Sequence, residues 1–152
     1  MDADALVNRS FENKKVVSIF LLRDDGALLL QHRDNKPGLP NAGRWSPLGG
    51  HCEADEDVEA CVRRELREET GYDCKKLNLL GSFTDASAEK NPAPLLNAFW
   101  VLYDGVQMLR CMEGQAIKFV KRDEARSYEV PQYLVGIWDR AIRALRQYEE
   151  KG

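Results

Sequence analysis

One short segment constrains this chain more than any other. Residues 57–70, DVEACVRRELREET, carry the marks of a helix: Asp55, Glu56 and Asp57 put negative charge at its N-terminal end, and Gly71 supplies a stop. Projected at helical spacing, Val58, Cys61, Val62 and Leu66 share one arc, which must face inward. Glu65 and Glu69 each lie only about 20° from Val58, in the middle of that arc, and Glu68 sits about 80° away at its edge. A helix that buries this apolar stripe buries two carboxylates with it.

Clustered acids facing inward repel one another and lose hydration, which raises their pKa values unless a cation compensates. Position alone leaves two compensators open. Lys or Arg from elsewhere can pair with Glu65 and Glu69, as on many charged helix rims. Alternatively, a hard divalent ion, Mg²⁺ or Mn²⁺ in its place, takes carboxylate oxygen and keeps waters for a phosphorylated ligand.

The surrounding residues favour the metal. From Gly50 the chain reads GHCEADEDVEACVRRELREETGY, with Gly50, Glu56, Arg64, Glu65, Leu66, Glu68, Glu69, Gly71 and Tyr72 at fixed offsets. This resembles the Nudix box, G-x5-E-x7-R-E-U-x-E-E-x-G-U, where U is bulky and apolar or aromatic. Every specified position is filled, a coincidence of roughly one in a million at ordinary residue frequencies. The one local departure is Ala54-Asp55, where family members often carry Pro-Gly; it touches loop rigidity and leaves the chemical residues intact.

The resemblance implies Mg²⁺-dependent hydrolysis of a diphosphate linkage in a nucleoside diphosphate derivative or a nucleoside triphosphate. It implies Glu68 and Glu69 as metal ligands, the Gly49 carbonyl as another, and Glu65 as a ligand or the general base. Arg64 and Glu56 resemble the ion pair that pins the preceding loop to the helix, so Glu56 supports the site more than it reacts. Glu113-Gly114-Gln115 is similar to the segment where bacterial oxidised-nucleotide pyrophosphatases place an extra metal-binding Glu, which makes Glu113 a candidate ligand. The chemistry suits these residues: breaking P–O–P needs an in-line water, a proton acceptor, and cations where charge accumulates on phosphate oxygen.

The rest of the chain is consistent with that frame. Its 152 residues suit one domain, read as residues 13–150 after a loose polar segment at 1–12. A hairpin is expected from residues 15–23 and 27–33 around Asp24-Asp25-Gly26, then a loop over 34–43 and a strand over 44–48 ending at Gly49-Gly50. Further strands are expected at 77–84, 95–103 and 116–121. A closing helix covers 132–149, where Leu134, Ile137, Trp138, Ala141, Ile142 and Leu145 recur at helical spacing. The fold class is α/β, similar to the Nudix α/β/α sandwich, with a mixed sheet between helices.

Net charge of −3 offers no long-range attraction to nucleic acid polymer or anionic membrane, so a small nucleotide-like diphosphate is the expected partner, bound by a monomer or homodimer. No apolar run approaches a membrane span, and the default location is cytoplasmic. The four cysteines, Cys52, Cys61, Cys74 and Cys111, form no C-x-x-C pair and read as reduced thiols. Arg33 and Arg44 are candidate phosphate contacts alongside Arg23 and Lys36, and Trp45 is a candidate surface for a base. Phe99 and Trp100 must face opposite sides of their strand, so at most one meets a ligand. Two other classes compete: a non-catalytic nucleotide-sensing module, which would be expected to lose box acids, and an isoprenoid-diphosphate isomerase, for which Cys52 or Cys111 would have to serve as the catalytic thiol.

Overall fold

The computed structural model describes residues 15–38, 42–84 and 95–151, so the expectation for residues 1–12 lies outside it. Six strands form one sheet: β1 (Val16–Leu22), β2 (Leu28–His32), β3 (Trp45–His51), β4 (Asn78–Thr84), β5 (Leu95–Leu102) and β6 (Ala116–Val120). Helix α1 (Val58–Thr70) follows β3, and α2 (Gln132–Lys151) closes the described chain. The order across the sheet is β4-β5-β1-β3-β2-β6, with β1 and β5 parallel and every other pair antiparallel.

β1 sits at the middle of this sheet, and its sequence VVSIFLL shows why. Val17, Ile19 and Leu21 face α1, while Phe20 and Leu22 face α2. A strand covered on both sides has no polar face to alternate with, so it reads as a continuous apolar run. On the first side Cys61, Val62 and Leu66 of α1 complete the core; on the second, Leu134, Ile137, Trp138, Ala141 and Leu145 of α2 do so. Trp138 is fully buried, and its indole N–H donates to the Gly26 carbonyl at 3.0 Å. Phe99 and Trp100 divide between the two sides as strand alternation requires, and both belong to the core.

Two local expectations change. The turn at Asp24-Asp25-Gly26 forms, closed by Gly26 N–H to the Arg23 carbonyl at 2.9 Å, yet β1 and β2 pair only beside it, at Leu22 and Leu28. Beyond that point β3 enters between them and takes the hydrogen-bonding edges of both. The second change is that Gly49-Gly50 does not end β3. Ser18 pairs with Gly49, Val17 with Gly50 and Val16 with His51, so the diglycine lies inside the sheet next to its central strand.

Candidate active site

Helix α1 begins at an extended Asp57 and ends at Gly71 in the left-handed region (φ 77°), whose N–H bonds the Arg67 carbonyl. Between these limits the projected arc is the one buried. Glu65 is 8% exposed and Glu69 only 1%, whereas Glu68 lies at the solvent-facing rim. The two buried carboxyls lie close enough to perturb each other, and desolvation raises the pKa of both. Glu69 is pushed up to about 9 by burial first, then by Glu65 and by the nearby charge of Glu113, with the Gly49 backbone pulling the other way. Its Oε2 has no hydrogen-bond partner among the described residues.

Arg64 compensates only part of this charge. Its guanidinium grips Glu56 through two bonds of 2.7 and 2.8 Å, and one nitrogen reaches Glu65 and Glu68 at 3.1 Å each. The same side chain donates to the His51 carbonyl at 3.3 Å. Glu56 is held well below the usual carboxylate range, at about 2, chiefly by that fork, and it also accepts the Glu53 backbone N–H at 3.1 Å. The loop after β3 is thereby tied to the helix. Glu69, the most buried of these acids, is not among the ion-pair partners of Arg64.

The two glycines serve different ends. A Cβ on Gly50 would lie 2.6 Å from the Glu65 carboxyl, so Gly50 is the floor on which that carboxyl rests. A Cβ on Gly49 would meet the Val17 carbonyl oxygen at 2.3 Å, so Gly49 is required by the strand beside it.

Glu113 reaches the same cluster from far along the chain. Arg110 and Met112 donate their N–H groups to the carbonyls of Thr70 and Glu69, which lays residues 110–112 along the end of α1. Gln31 donates its side-chain amide to the Glu113 carbonyl at 2.9 Å, and Gln115 N–H bonds the His32 carbonyl. Gln31 is 2% exposed, and as a polar break in the run LLLQH its position signals a buried partner.

Other expected contacts lie elsewhere. Trp45 packs on the α2 side, stacked with His32 at 4.8 Å and edge-on to Tyr128 at 5.4 Å. Arg44 is exposed, and Arg33 lies alongside it in the backbone pairing, its Nε buried without a partner among the described residues. These three do not touch the carboxylates. A cleft of about 770 Å³ opens beyond the C-terminal ends of β1 and β5, lined in part by Arg23, Tyr72, Lys76 and Tyr148, and it contains none of the clustered acids. The reading of four free thiols also fails for two of them: Cys52 and Cys61 form a disulfide, while Cys74 and Cys111 are free. The end of β3 runs beside the first turn of α1, which brings their Cα atoms to 5.4 Å, inside the range a disulfide spans.

The family model for the NUDIX domain matches residues 12–134. The chain belongs to the Nudix family. A NAD-capped RNA hydrolase NudC of Vibrio atlanticus is 34% identical over 88 residues, which are 57% of this chain and 29% of that protein. An RNA pyrophosphohydrolase of Gluconacetobacter diazotrophicus is 34% identical over 86 residues, 55% of this chain and 50% of that one. The match thus spans half or less of these curated relatives. In fold, the Nudix domain of Shewanella oneidensis NrtR, solved with ADP ribose, superimposes with a TM-score of 0.71 at 20% identity, covering 95% of this chain and 99% of that domain. The sheet between two helices is therefore the Nudix architecture, and the acids of α1 occupy the box that defines the family.

Proposed function

We propose that this Nudix chain hydrolyses a diphosphate linkage in a nucleoside diphosphate derivative or nucleoside triphosphate, with Mg²⁺ or Mn²⁺ held by α1. The observation that carries the reading is the buried Glu65–Glu69 pair, with an oxygen of Glu69 left without a partner and Glu113 adding a third negative charge. Such a cluster is tolerable at neutral pH only as a protonated pair or with a cation, and its all-oxygen donor set suits a hard divalent ion. Glu65, Glu68 and Glu69 would hold it, with the Gly49 carbonyl and Glu113 as further donors. The metal would neutralise charge on phosphate oxygen and acidify water.

The chain's own residues then divide the work. Arg64 orients Glu65 and Glu68 while it ties down Glu56, and Gly50 fixes the depth of the Glu65 carboxyl. Glu65 is a ligand or accepts the proton of the attacking water. Arg33, Arg44 and Trp45 are proposed for the phosphate and base of the substrate. Relatives named for NAD-capped RNA and for RNA pyrophosphate, and a neighbour solved with ADP ribose, support a nucleotide diphosphate as the substrate class. A sensing module would be expected to lose box acids, and all are present here. The isomerase reading loses Cys52 to a disulfide.

A panel of nucleoside triphosphates, nucleotide sugars, ADP-ribose, NAD and capped RNA, each with Mg²⁺ or Mn²⁺, tests the proposal. Metal-dependent release of a nucleoside monophosphate or sugar phosphate is the expected result. Glu69→Gln should lower kcat by at least about two orders of magnitude, because it removes charge that acts in the transition state. Near-normal turnover in that variant would contradict the assignment.

A further inference from the structure

The disulfide lies within the support of the proposed metal site. Cys52 follows the Gly49-Gly50-His51 end of β3, and Cys61 closes the first turn of α1, one turn before Glu65. The bond therefore ties the loop bearing Glu53 and Glu56 to the helix that bears the acids. The Arg64–Glu56 fork spans the same gap without a covalent bond, and an Arg64 nitrogen lies 3.9 Å from Cys61 Sγ. Cys61 is fully buried, whereas Cys52 is only half-buried.

We propose that Cys52 and Cys61 form a reversible redox clasp that sets how firmly the acids of α1 hold their cation. This inference takes the divalent-metal reading as given. The chemistry is thiol–disulfide exchange with a low-molecular-weight thiol such as glutathione. A thiolate attacks Cys52 Sγ, the more accessible sulfur; the Cys52–Cys61 bond breaks, a mixed disulfide forms, and Cys61 leaves as a thiolate beside the Arg64 guanidinium. A second thiolate frees Cys52, so two small thiols become one small disulfide and the clasp gains two electrons and two protons. Oxidation by the small disulfide reverses each step. With the bond open, the Arg64–Glu56 pair and the Arg64 bond to the His51 carbonyl are left to tie the loop to the helix.

The test begins with alkylation and mass spectrometry of the whole chain after equilibration in glutathione buffers of graded ratio. With alkylation done after acid quench and denaturation, Cys52 and Cys61 should pass together between paired and free, while buried Cys74 stays free and exposed Cys111 gains at most a single glutathione. Reduction should lower the melting temperature and weaken Mn²⁺ binding roughly tenfold, the scale on which groups supporting a metal's ligands act. Cys52→Ser should behave as the reduced chain in every buffer. Four cysteines reacting independently would overturn the clasp. So would a bond that forms without moving either the melting temperature or Mn²⁺ affinity, or a zinc ion that shields Cys52, Glu56 and Cys61 until it is chelated. Failure to bind Mn²⁺ in either state would contradict the metal reading itself, and the melting temperature would then decide the clasp alone.

Discussion

A methyl group placed on Gly50 would meet the end of the flexible Glu65 side chain, whereas one on Gly49 would meet backbone. The two alanine variants should therefore fail differently. Gly50→Ala is expected to fold, with a cooperative thermal transition, while losing at least about tenfold in Mn²⁺ affinity and turnover because Glu65 is pushed from its seat. Gly49→Ala should lower the melting temperature or prevent folding, since the Val17 carbonyl cannot move without disturbing the central strand. The acids themselves predict a pH dependence. Glu69 has a folded pKa of about 9 against an unperturbed 4.5, so the folded metal-free chain holds a proton that the unfolded chain has released. Its stability should fall as pH rises from about 4.5 towards 9. Added Mg²⁺ should flatten that fall, and Glu69→Gln should remove much of it, raising the metal-free melting temperature at pH 8. A metal-free chain that gains stability between pH 6 and 8 would contradict the buried-acid account.

Elements were legible where their signals are local. The α1 helix follows from acids at its start, a glycine at its end and an apolar arc between, all within a few turns. Gly71→Ala should cost about 1 kcal/mol, since the left-handed cap and not crowding is what alanine resists there. The α2 helix was equally plain from its apolar spacing, and Trp138→Ala should cost about 3–5 kcal/mol in denaturant unfolding. Strand pairing was less legible. The Asp24-Asp25-Gly26 turn foretells two antiparallel strands, but nothing within residues 15–33 announces that β3 will come between them. That insertion depends on hydrogen-bonding edges and register across the sheet. The 3₁₀ helix Arg122–Tyr128 is not legible in the sequence, because so short a segment carries no periodicity.

At the scale of the molecule, the sheet gives each helix a separate core, and the acids of α1 stand where one core meets the diglycine strand. The carboxylate cluster could be read from the chain because Glu65, Glu68 and Glu69 share one helix. Docking of Glu113 through Gln31 could not, since it depends on how distant segments pack, nor could the pairing of Cys52 with Cys61, which depends on how the end of β3 lies against the first turn of α1. On the proposed function, the buried acids of α1 are occupied by a divalent cation. Calorimetric titration with Mn²⁺ at pH 7.5, in buffers of differing ionisation enthalpy and with and without a diphosphate ligand, tests it most directly. Binding should displace about one proton per chain, and Glu69→Gln should abolish both the binding and the displacement. No uptake of Mn²⁺ even beside a diphosphate, or equal uptake by Glu69→Gln, would contradict it.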